Sequence, residues 1–434
     1  MRIAVIGSGI AGNSAAWALS ERHDVTLYEK RARPGGHSAT VDIDYDGTQM
    51  AVDTGFIVYN ELNYPNLTAL FEHLGVATEA SDMSFAFSLD GGLREWSGDT
   101  LNTVFGQRSN IVSPRFMWML REILRFNRQC IEDRAAGTLR GLSLQDYLAR
   151  RRFSRELASD YLLPMGAAIW STPPAHMLDF PAENFIAFFE NHRLVHRDRP
   201  VWRTVSGGSR SYVERLLSPL AGKVRLATPV ASVTRRDGQV HVVDTNGNED
   251  VFDRVVLAAH TDQTLAMLAD ATPEERNILG AVRYRPNQVY LHRDRSLMPR
   301  RTRVWASWNY LASSDPGAPY RDASVSYWMN RLQNLPADKP LFISLNPVER
   351  PREDLTFATF EYDHPQFDAG AIAAQKALGQ IQGARNTWFC GAWCGYGFHE
   401  DGLTSGLAAA EAIGSEIPWR LDDNGVARTA EAAE

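Results

Sequence analysis

Near the start of the chain, Gly7-Ser8-Gly9-Ile10-Ala11-Gly12 has the residue types and spacing to hold a pyrophosphate. In G-x-G-x-x-G the first glycine permits a tight turn and the second lets the backbone approach phosphate oxygens. The third lets the following helix pack close to the preceding strand. The amides at that helix's N-terminus then face the anion. Glu29 follows at the distance, about 20 residues, where a carboxylate accepts both hydroxyls of an adenosine ribose. An ordinary glycine-rich turn has no need of that acid in register, so the segment predicts a dinucleotide site. Two further blocks, Arg33-Pro34-Gly35-Gly36-His37 and Asp53-Thr54-Gly55-Phe56, come next.

This chemistry requires a strand before the glycines and a helix after them. Residues 2–6 are a short apolar run, residues 10–19 carry small and apolar residues at helical spacing, and residues 25–28 form a second apolar run. Residues 2–28 therefore predict a β-α-β unit. From about 61 to 195 the pattern predicts mostly helix, with Ser113-Pro114 as the cap and first-turn pair of one helix. Alternating strands return at 224–233 and 239–243, and a buried strand at 253–259 precedes a helix near Thr261. Residues 280–365 are strand-rich and aromatic, and a helix at about 369–380 leads to a strand at 387–390. A glycine-rich turn and a final helix from Leu403 follow, and residues after about 418 read as a polar tail.

The expected class is α/β, with a discontinuous Rossmann-like nucleotide-binding domain from 1–60, 196–265 and 381–417. An α+β substrate domain from 61–195 and 266–380 is inserted into it, and 418–434 is the tail. A length of 434 residues suits two or three such modules. With 45 Lys+Arg against 52 Asp+Glu the net charge is -7, so a basic footprint for nucleic acid is absent. Three cysteines cannot build a disulfide framework and point to a reducing compartment. The start does not read as a signal peptide, and no apolar run reaches the roughly 18 to 20 residues of a membrane span, so a cytoplasmic protein is expected. Eleven Trp and nineteen Phe suit an aromatic-lined pocket.

Together these blocks resemble the flavin-containing amine oxidase and phytoene desaturase superfamily. That superfamily follows its ribose-binding acid with a Gly-Gly pair and later an Asp-x-Gly element beside the flavin. The resemblance continues with Gly207-Gly208-Ser209 and Pro229-Val230-Ala231-Ser232-Val233. It ends with Phe389-Cys390-Gly391-Ala392, Gly395-Tyr396-Gly397 and Glu400-Asp401-Gly402-Leu403-Thr404-Ser405-Gly406-Leu407. It implies FAD, held by Gly7, Ser8, Gly9, Ile10, Ala11, Gly12, Glu29, Lys30, Gly36, His37, Ser38, Thr54, Gly55 and Phe56. It adds Val230, whose backbone would clasp adenine, and Gly391, Asp401, Gly402, Leu403 and Ser405 at the flavin end. A reduced flavin carries negative charge near N1 and O2, which amides at a helix N-terminus stabilise; Gly402, Leu403 and Thr404 are the expected donors. Two departures stand out. His37 replaces an arginine common in the family, and would either contact the pyrophosphate or sit in a surface loop. None of the four lysines (Lys30, Lys223, Lys339, Lys376) falls clearly where amine oxidases hold a lysine-bound water at flavin N5.

The remaining chain resembles a branch of bacterial flavoproteins associated with cyclopropane-type fatty-acyl methyltransferases. The residues that carry this lie at 164–171, 287–292, 305–310, 327–330 and 397–402. The resemblance implies a lipid or fatty-acyl substrate, for which Trp170, Phe188, Trp308, Tyr310 and Trp328 would line an apolar tunnel. The same aromatics serve equally well as ordinary core. Tyr396, His399 and Asn309, with His292, are the polar candidates. His399, just before the final helix, would either relay a proton or fix the turn through the backbone. Arg121, Arg125 and Arg128 make a basic stripe at i, i+4, i+7, either a peripheral contact with anionic membrane or a solvated face. Cys390 and Cys394 lack further paired ligands, so no metal is expected.

The expected function is FAD-dependent oxidation of a hydrophobic substrate, desaturating an acyl chain by hydride transfer to flavin N5, with oxygen or a membrane acceptor regenerating the cofactor. A redox-neutral double-bond isomerase, an amine oxidase and a non-catalytic flavin scaffold or electron carrier remain as alternatives.

Overall fold

The computed structural model describes residues 1–170, 174–196, 198–314, 323–422 and 427–429. At its centre β1 (Arg2–Ile6), α1 (Ile10–Ser20) and β2 (Asp24–Tyr28) form the expected β-α-β unit. β3 (Val224–Arg225), β4 (Arg254–Leu257) and β5 (Thr387–Phe389) join them in a five-stranded parallel sheet of order β3-β2-β1-β4-β5. A fully parallel sheet needs cover on both faces, and the period of two provides for it. Ile3, Val5, Val25, Leu27 and Val256 enter one core with α1 and the final helix α2 (His399–Ile413). Ala4, Ile6, Tyr28, Val255 and Leu257 point the other way, into a core shared with the antiparallel meander Val230–Arg236, Gln239–Asp244 and Glu249–Phe252. α2 lies directly on α1: a Cβ on Gly406 would overlap the Ala11 carbonyl oxygen, and one on Gly402 would come within 2.8 Å of Ile10.

A second, seven-stranded sheet runs Thr356–Gln366, Arg283–His292, Phe342–Leu345, Ala323–Trp328, Trp308–Ala312, Phe85–Leu89, Arg94–Ser97. Its pairs are antiparallel except Trp308–Ala312 with Phe85–Leu89, which is parallel. The last two strands, and Thr78–Ser81, fall in the stretch read as mostly helical. Phe85-Ala86-Phe87-Ser88-Leu89 alternates at period two, and Asp90, Gly91 and Gly92 all have positive φ, the mark of a hairpin turn. The sheet supplies strand partners that a local reading cannot see.

The rest of that stretch is largely helical, including Pro114–Ala135, whose N-cap Ser113 accepts from Phe116 N at 3.3 Å. The basic stripe on this helix is broken. Arg125 folds inward over the Phe153 ring at 4.1 Å and donates to Arg151 O at 3.0 Å, leaving Arg121 and Arg128 outside. The expected polar tail also begins as packed structure. Trp419 is buried, stacks on Trp17 at 6.0 Å, and opens a strand, Trp419–Leu421, paired with Ala427–Thr429. Residues 423–426 and 430–434 of that tail lie outside the described residues. No helix among the described residues is long and apolar enough to cross a membrane.

Candidate functional site

The nucleotide cradle is made of backbone. Gly7 turns the chain at φ +104, which L side chains rarely adopt, and a Cβ on Gly12 would overlap the Gly7 carbonyl oxygen. Gly9, the N-cap of α1, has nothing within 4 Å of where a Cβ would stand, so an anion can reach the α1 amides, which Ile10 and Ala11 begin. Glu29 Oε2 accepts from Ser8 N (3.0 Å) and Ser8 Oγ (2.6 Å), and Oε1 accepts from Arg31 N (2.8 Å). Three of its roughly four acceptor positions are thus filled, and accepting two ribose hydroxyls requires it to release Ser8. Thr228 N donates to Glu29 O at 2.9 Å, which brings the backbone leading into Val230 beside the acid. Lys30 is exposed and reaches Gln263 at 3.2 Å.

Gly35–Ser38 folds over this turn. Gly35 N donates to Ser8 O at 2.9 Å, and a Cβ on Gly36 would stand 3.0 Å from Gly9 Cα. Thr54 N donates to Ala39 O (2.9 Å) and Phe56 N to His37 O (2.8 Å), pressing Gly55 against the His37 carbonyl. Asp53 ties this element to Gly207-Gly208-Ser209, accepting from Thr40 Oγ1 (2.6 Å), Ser209 N (2.9 Å), Ser209 Oγ (2.7 Å) and Gln333 Nε2 (3.0 Å). Burial raises its pKa, and those donors oppose the rise. His37 is no surface residue. Its Nε2 is buried without a partner, and its ring lies 4.9 Å from Tyr362 and 5.5 Å from His364. Burial holds both histidines below the usual range, His364 at about 4. A buried ring nitrogen beside a phosphate-type turn calls for a ligand partner, and the cradle fits an FAD pyrophosphate and its neighbouring ribityl or ribose hydroxyls.

At the other end of the cradle, α2 begins at His399, four residues before the predicted start at Leu403. Asp401 Oδ2 reaches back to accept from Phe398 N at 2.8 Å, closing the first turn. Gly402 N therefore donates to Phe398 O at 3.1 Å, and the expected donors Gly402, Leu403 and Thr404 lie inside the helix. The amides without an intrahelical carbonyl are those of His399, Glu400 and Asp401. Ser405 Oγ accepts from Gly391 N at 2.9 Å and so fastens the end of β5 to α2.

The His399 ring is stacked on Phe56 at 3.8 Å, with Nε2 2.5 Å from the Tyr212 hydroxyl and 3.4 Å from Ser38 Oγ. Burial pushes its pKa down to about 3, so the ring is neutral. These contacts hold the ring in place at the turn into α2. Glu400, raised to about 7 by burial, accepts from Asn66 N (2.8 Å) and Leu67 N (2.9 Å), capping helix Pro65–Leu74 in place of Tyr64. Burial raises Asp401 to about 6.

Beyond the turn lies an aromatic group. The Phe188 ring, on helix Ala182–Asn191, sits 4.7 Å from Trp170, 5.1 Å from Phe398, 6.0 Å from Tyr396 and 3.8 Å from His192. His192 follows Phe188 by one helical turn, a signal present in the sequence and passed over. Burial lowers it to about 4, and its Nδ1 lies 3.1 Å from Phe188 O. Burial first, then the Asp401 carboxylate, raises the Tyr396 phenol. Trp308 and Tyr310 pack against the same buried cluster as Phe188, Tyr310 stacking on Phe87 at 6.1 Å.

Three expected site residues do not join them. Asn309 lies between Trp308 and Tyr310 on one strand and so faces the opposite side. Its Nδ2 donates to Ala306 O (2.6 Å) and Ser326 O (3.0 Å), and its Oδ1 accepts from Ala306 N (2.9 Å). It is a backbone brace. His292 is likewise held by Ser344 Oγ (2.8 Å) and Asp294 N (3.1 Å). Trp328 alternates away from Tyr327, which packs on Trp308, and rests on Trp305 at 5.4 Å. No lysine joins the group. Lys223 pairs with Asp24, Lys339 donates to Tyr45 O at 2.7 Å, and Lys376 is exposed. Cys390 and Cys394 are thiols whose pKa burial raises.

Residues 10–329 match the sequence profile of the family described as flavin containing amine oxidoreductase. Among solved structures, a CLA-producing fatty acid isomerase from P. acnes is 16% identical, with TM-score 0.64 over 95% of this chain and 97% of that one. Cyclohexylamine oxidase from Brevibacterium oxydans IH-35A is 16% identical, with TM-score 0.67 over 95% and 98%. Wild-type putrescine oxidase bound to putrescine is 16% identical, with TM-score 0.66 over 95% and 99%. These structures share the fold. The profile spans well over half of the chain, and the glycine turn with Glu29 makes the flavin a dinucleotide. The chain belongs to the family of flavin-containing amine oxidoreductases, and its cofactor is FAD.

Proposed function

We propose that the protein is an FAD-dependent oxidoreductase that removes a hydride from an apolar, fatty-acyl-type substrate and leaves a double bond. One observation carries this reading: Tyr396 and Phe398, on the turn that leads into α2, meet the rings of Trp170, Phe188 and His192, and all four lysines lie elsewhere. An acyl chain gains about 0.8 kcal/mol for each methylene buried in such surroundings. A charged amine loses its hydration there, and the carboxylate near Tyr396, Asp401, is raised to about 6 by burial and already accepts from Phe398 N. That the P. acnes isomerase, which shares the fold, is a fatty acid enzyme supports the same substrate class. The resemblance to the methyltransferase-associated branch extends the proposal to methylated chains.

FAD, when bound, accepts the hydride. The first amides of α2 favour negative charge at its N-terminus. Trp170, Phe188 and Phe398 exclude water and align the chain. Tyr396 stays protonated through neutral pH and donates a hydrogen bond to the substrate's polar end. Once hydride has left, the neighbouring C–H is acidic enough for a weak base. His192, with Nδ1 directed at Phe188 O, has Nε2 to receive that proton. Oxygen or a membrane acceptor would regenerate the oxidised cofactor.

The test is anaerobic mixing of the purified yellow protein with fatty acids and phospholipids. Lasting loss of flavin absorbance, with an unsaturated product, is expected. Product without net bleaching favours a double-bond isomerase, in which the hydride returns at another carbon. Bleaching by amines alone overturns the proposal.

A further inference from the structure

We infer that the outer face of helix Pro114–Ala135, with the turn before it, is a docking surface for an anionic lipid bilayer. Five large apolar side chains are exposed within 14 residues: Ile111 (52%), Val112 (81%), Met117 (45%), Trp118 (53%) and Leu124 (68%). Positions 114, 117, 118, 121, 124 and 128 recur every three or four residues, so they form one continuous face. The opposite face is already committed, since Phe116, Met119, Phe126 and Cys130 are buried in the cluster that holds Phe188. A helix with core on one side should be polar on the other. This one carries Trp, Met and Leu there, and contiguous exposed apolar surface marks an interaction site.

The charges select the occupant. Arg121 and Arg128 interleave with the apolar residues, and Arg108 and Arg115 flank them. Glu122, the acid inside this stretch, is buried and turned inward, accepting from Ser154 N at 2.7 Å. Arg128 pairs with Glu132, and Arg115 with Glu156 and Asp160, so among the described residues Arg121 and Arg108 are the cations left without an acid partner on this face. The surface is the exposed side of one helix, with the Arg121 guanidinium 5.8 Å from the Trp118 ring. A face of aliphatic residues and tryptophan flanked by arginine fits the acyl and headgroup layers of a bilayer, with the guanidinium groups at lipid phosphate. The same helix packs on helix Ala182–Asn191, which carries Phe188. The inference stands without the substrate reading, because lipid binding is measured with no turnover.

The experiment is co-sedimentation of the flavin-loaded full chain with vesicles of phosphatidylcholine alone or phosphatidylcholine mixed with phosphatidylglycerol. Binding is expected with the mixed vesicles and should weaken as salt is added. The double change Val112→Glu and Trp118→Glu should lower partitioning at least about tenfold, since both side chains then oppose burial. Flavin absorbance and melting temperature should stay as in the parent, because both residues are exposed. Arg121→Gln should lower partitioning about fivefold by itself. Equal binding to both vesicle types overturns the proposal, as does a double variant that sediments like the parent. A concentration-dependent dimer that the double variant dissolves assigns the face to a second copy and overturns it as well.

Discussion

The nucleotide cradle and the aromatic group meet at the first turn of α2, yet they are built on opposite principles. The cradle depends on atoms that are absent: Gly7, Gly12, Gly36 and Gly406 bring backbone to backbone where a single Cβ would collide or strain the turn. The aromatic group depends on volume, with Trp170, Phe188, Tyr396 and Phe398 filling space that other large side chains fill nearly as well. One region is therefore all-or-nothing to substitution and the other graded.

The sharpest way to break this contrast is Gly12→Val. Its branched side chain would drive into the Gly7 carbonyl, and the expected loss is about 4 kcal/mol or more of fold or cofactor binding. The purified protein should be colourless; a soluble yellow variant with full flavin content refutes the backbone account. Next in size is a pH effect at the junction. Burial raises Glu400 from 4.5 to about 7, so between those values the folded chain holds a proton that the unfolded chain releases. The Glu400 contribution to stability should therefore fall as pH rises through that window, by an amount on the order of 3 kcal/mol, against the opposite contribution of the buried neutral rings of His192, His364 and His399. The stability difference between the parent and Glu400→Gln, read by urea unfolding, should shrink as pH rises from 4.5 to about 7, and a difference that does not change with pH refutes the assignment.

Smaller again is Asn309→Ala, expected to destabilise by about 2 kcal/mol because the Ala306 N–H and C=O lose their buried partner. Turnover per bound flavin should stay within about twofold of the parent; a collapse in turnover at full flavin content would restore Asn309 to the chemistry. The mildest change is Phe188→Leu, a shape change for which less than about 1.5 kcal/mol in stability is expected. Because roughly one methylene contact is lost, KM for a long acyl substrate should rise about fourfold with kcat nearly unchanged. Equal KM for long and short chains would place the substrate away from Phe188.

What could be read in advance follows the same division. Gly7 to Gly12, Glu29, Gly36 and Asp53 to Phe56 were legible because each answers to a local steric or charge demand a few residues wide. The start of α2 was misplaced, although Asp401 three residues after Phe398 is a recognisable acid for closing a first turn. Asn309 and Trp328 were assigned to the pocket because the face of a strand residue depends on register, and one residue's displacement reverses it. His192 had a local signal in its spacing from Phe188. The ring of His364, which approaches His37 from a distant strand, had none.

By itself the amino-acid sequence determined that a strand, a glycine turn and a helix would grip a dinucleotide, because steric exclusion at Cβ acts between near neighbours. Only the tertiary structure decided which aromatics share a face, that His399 turns towards Phe56 and Tyr212, and that Arg125 leaves the surface. Those choices rest on side-chain packing between separate elements, 187 residues apart for Tyr212 and His399, where residue type permits several partners and the assembled structure admits one.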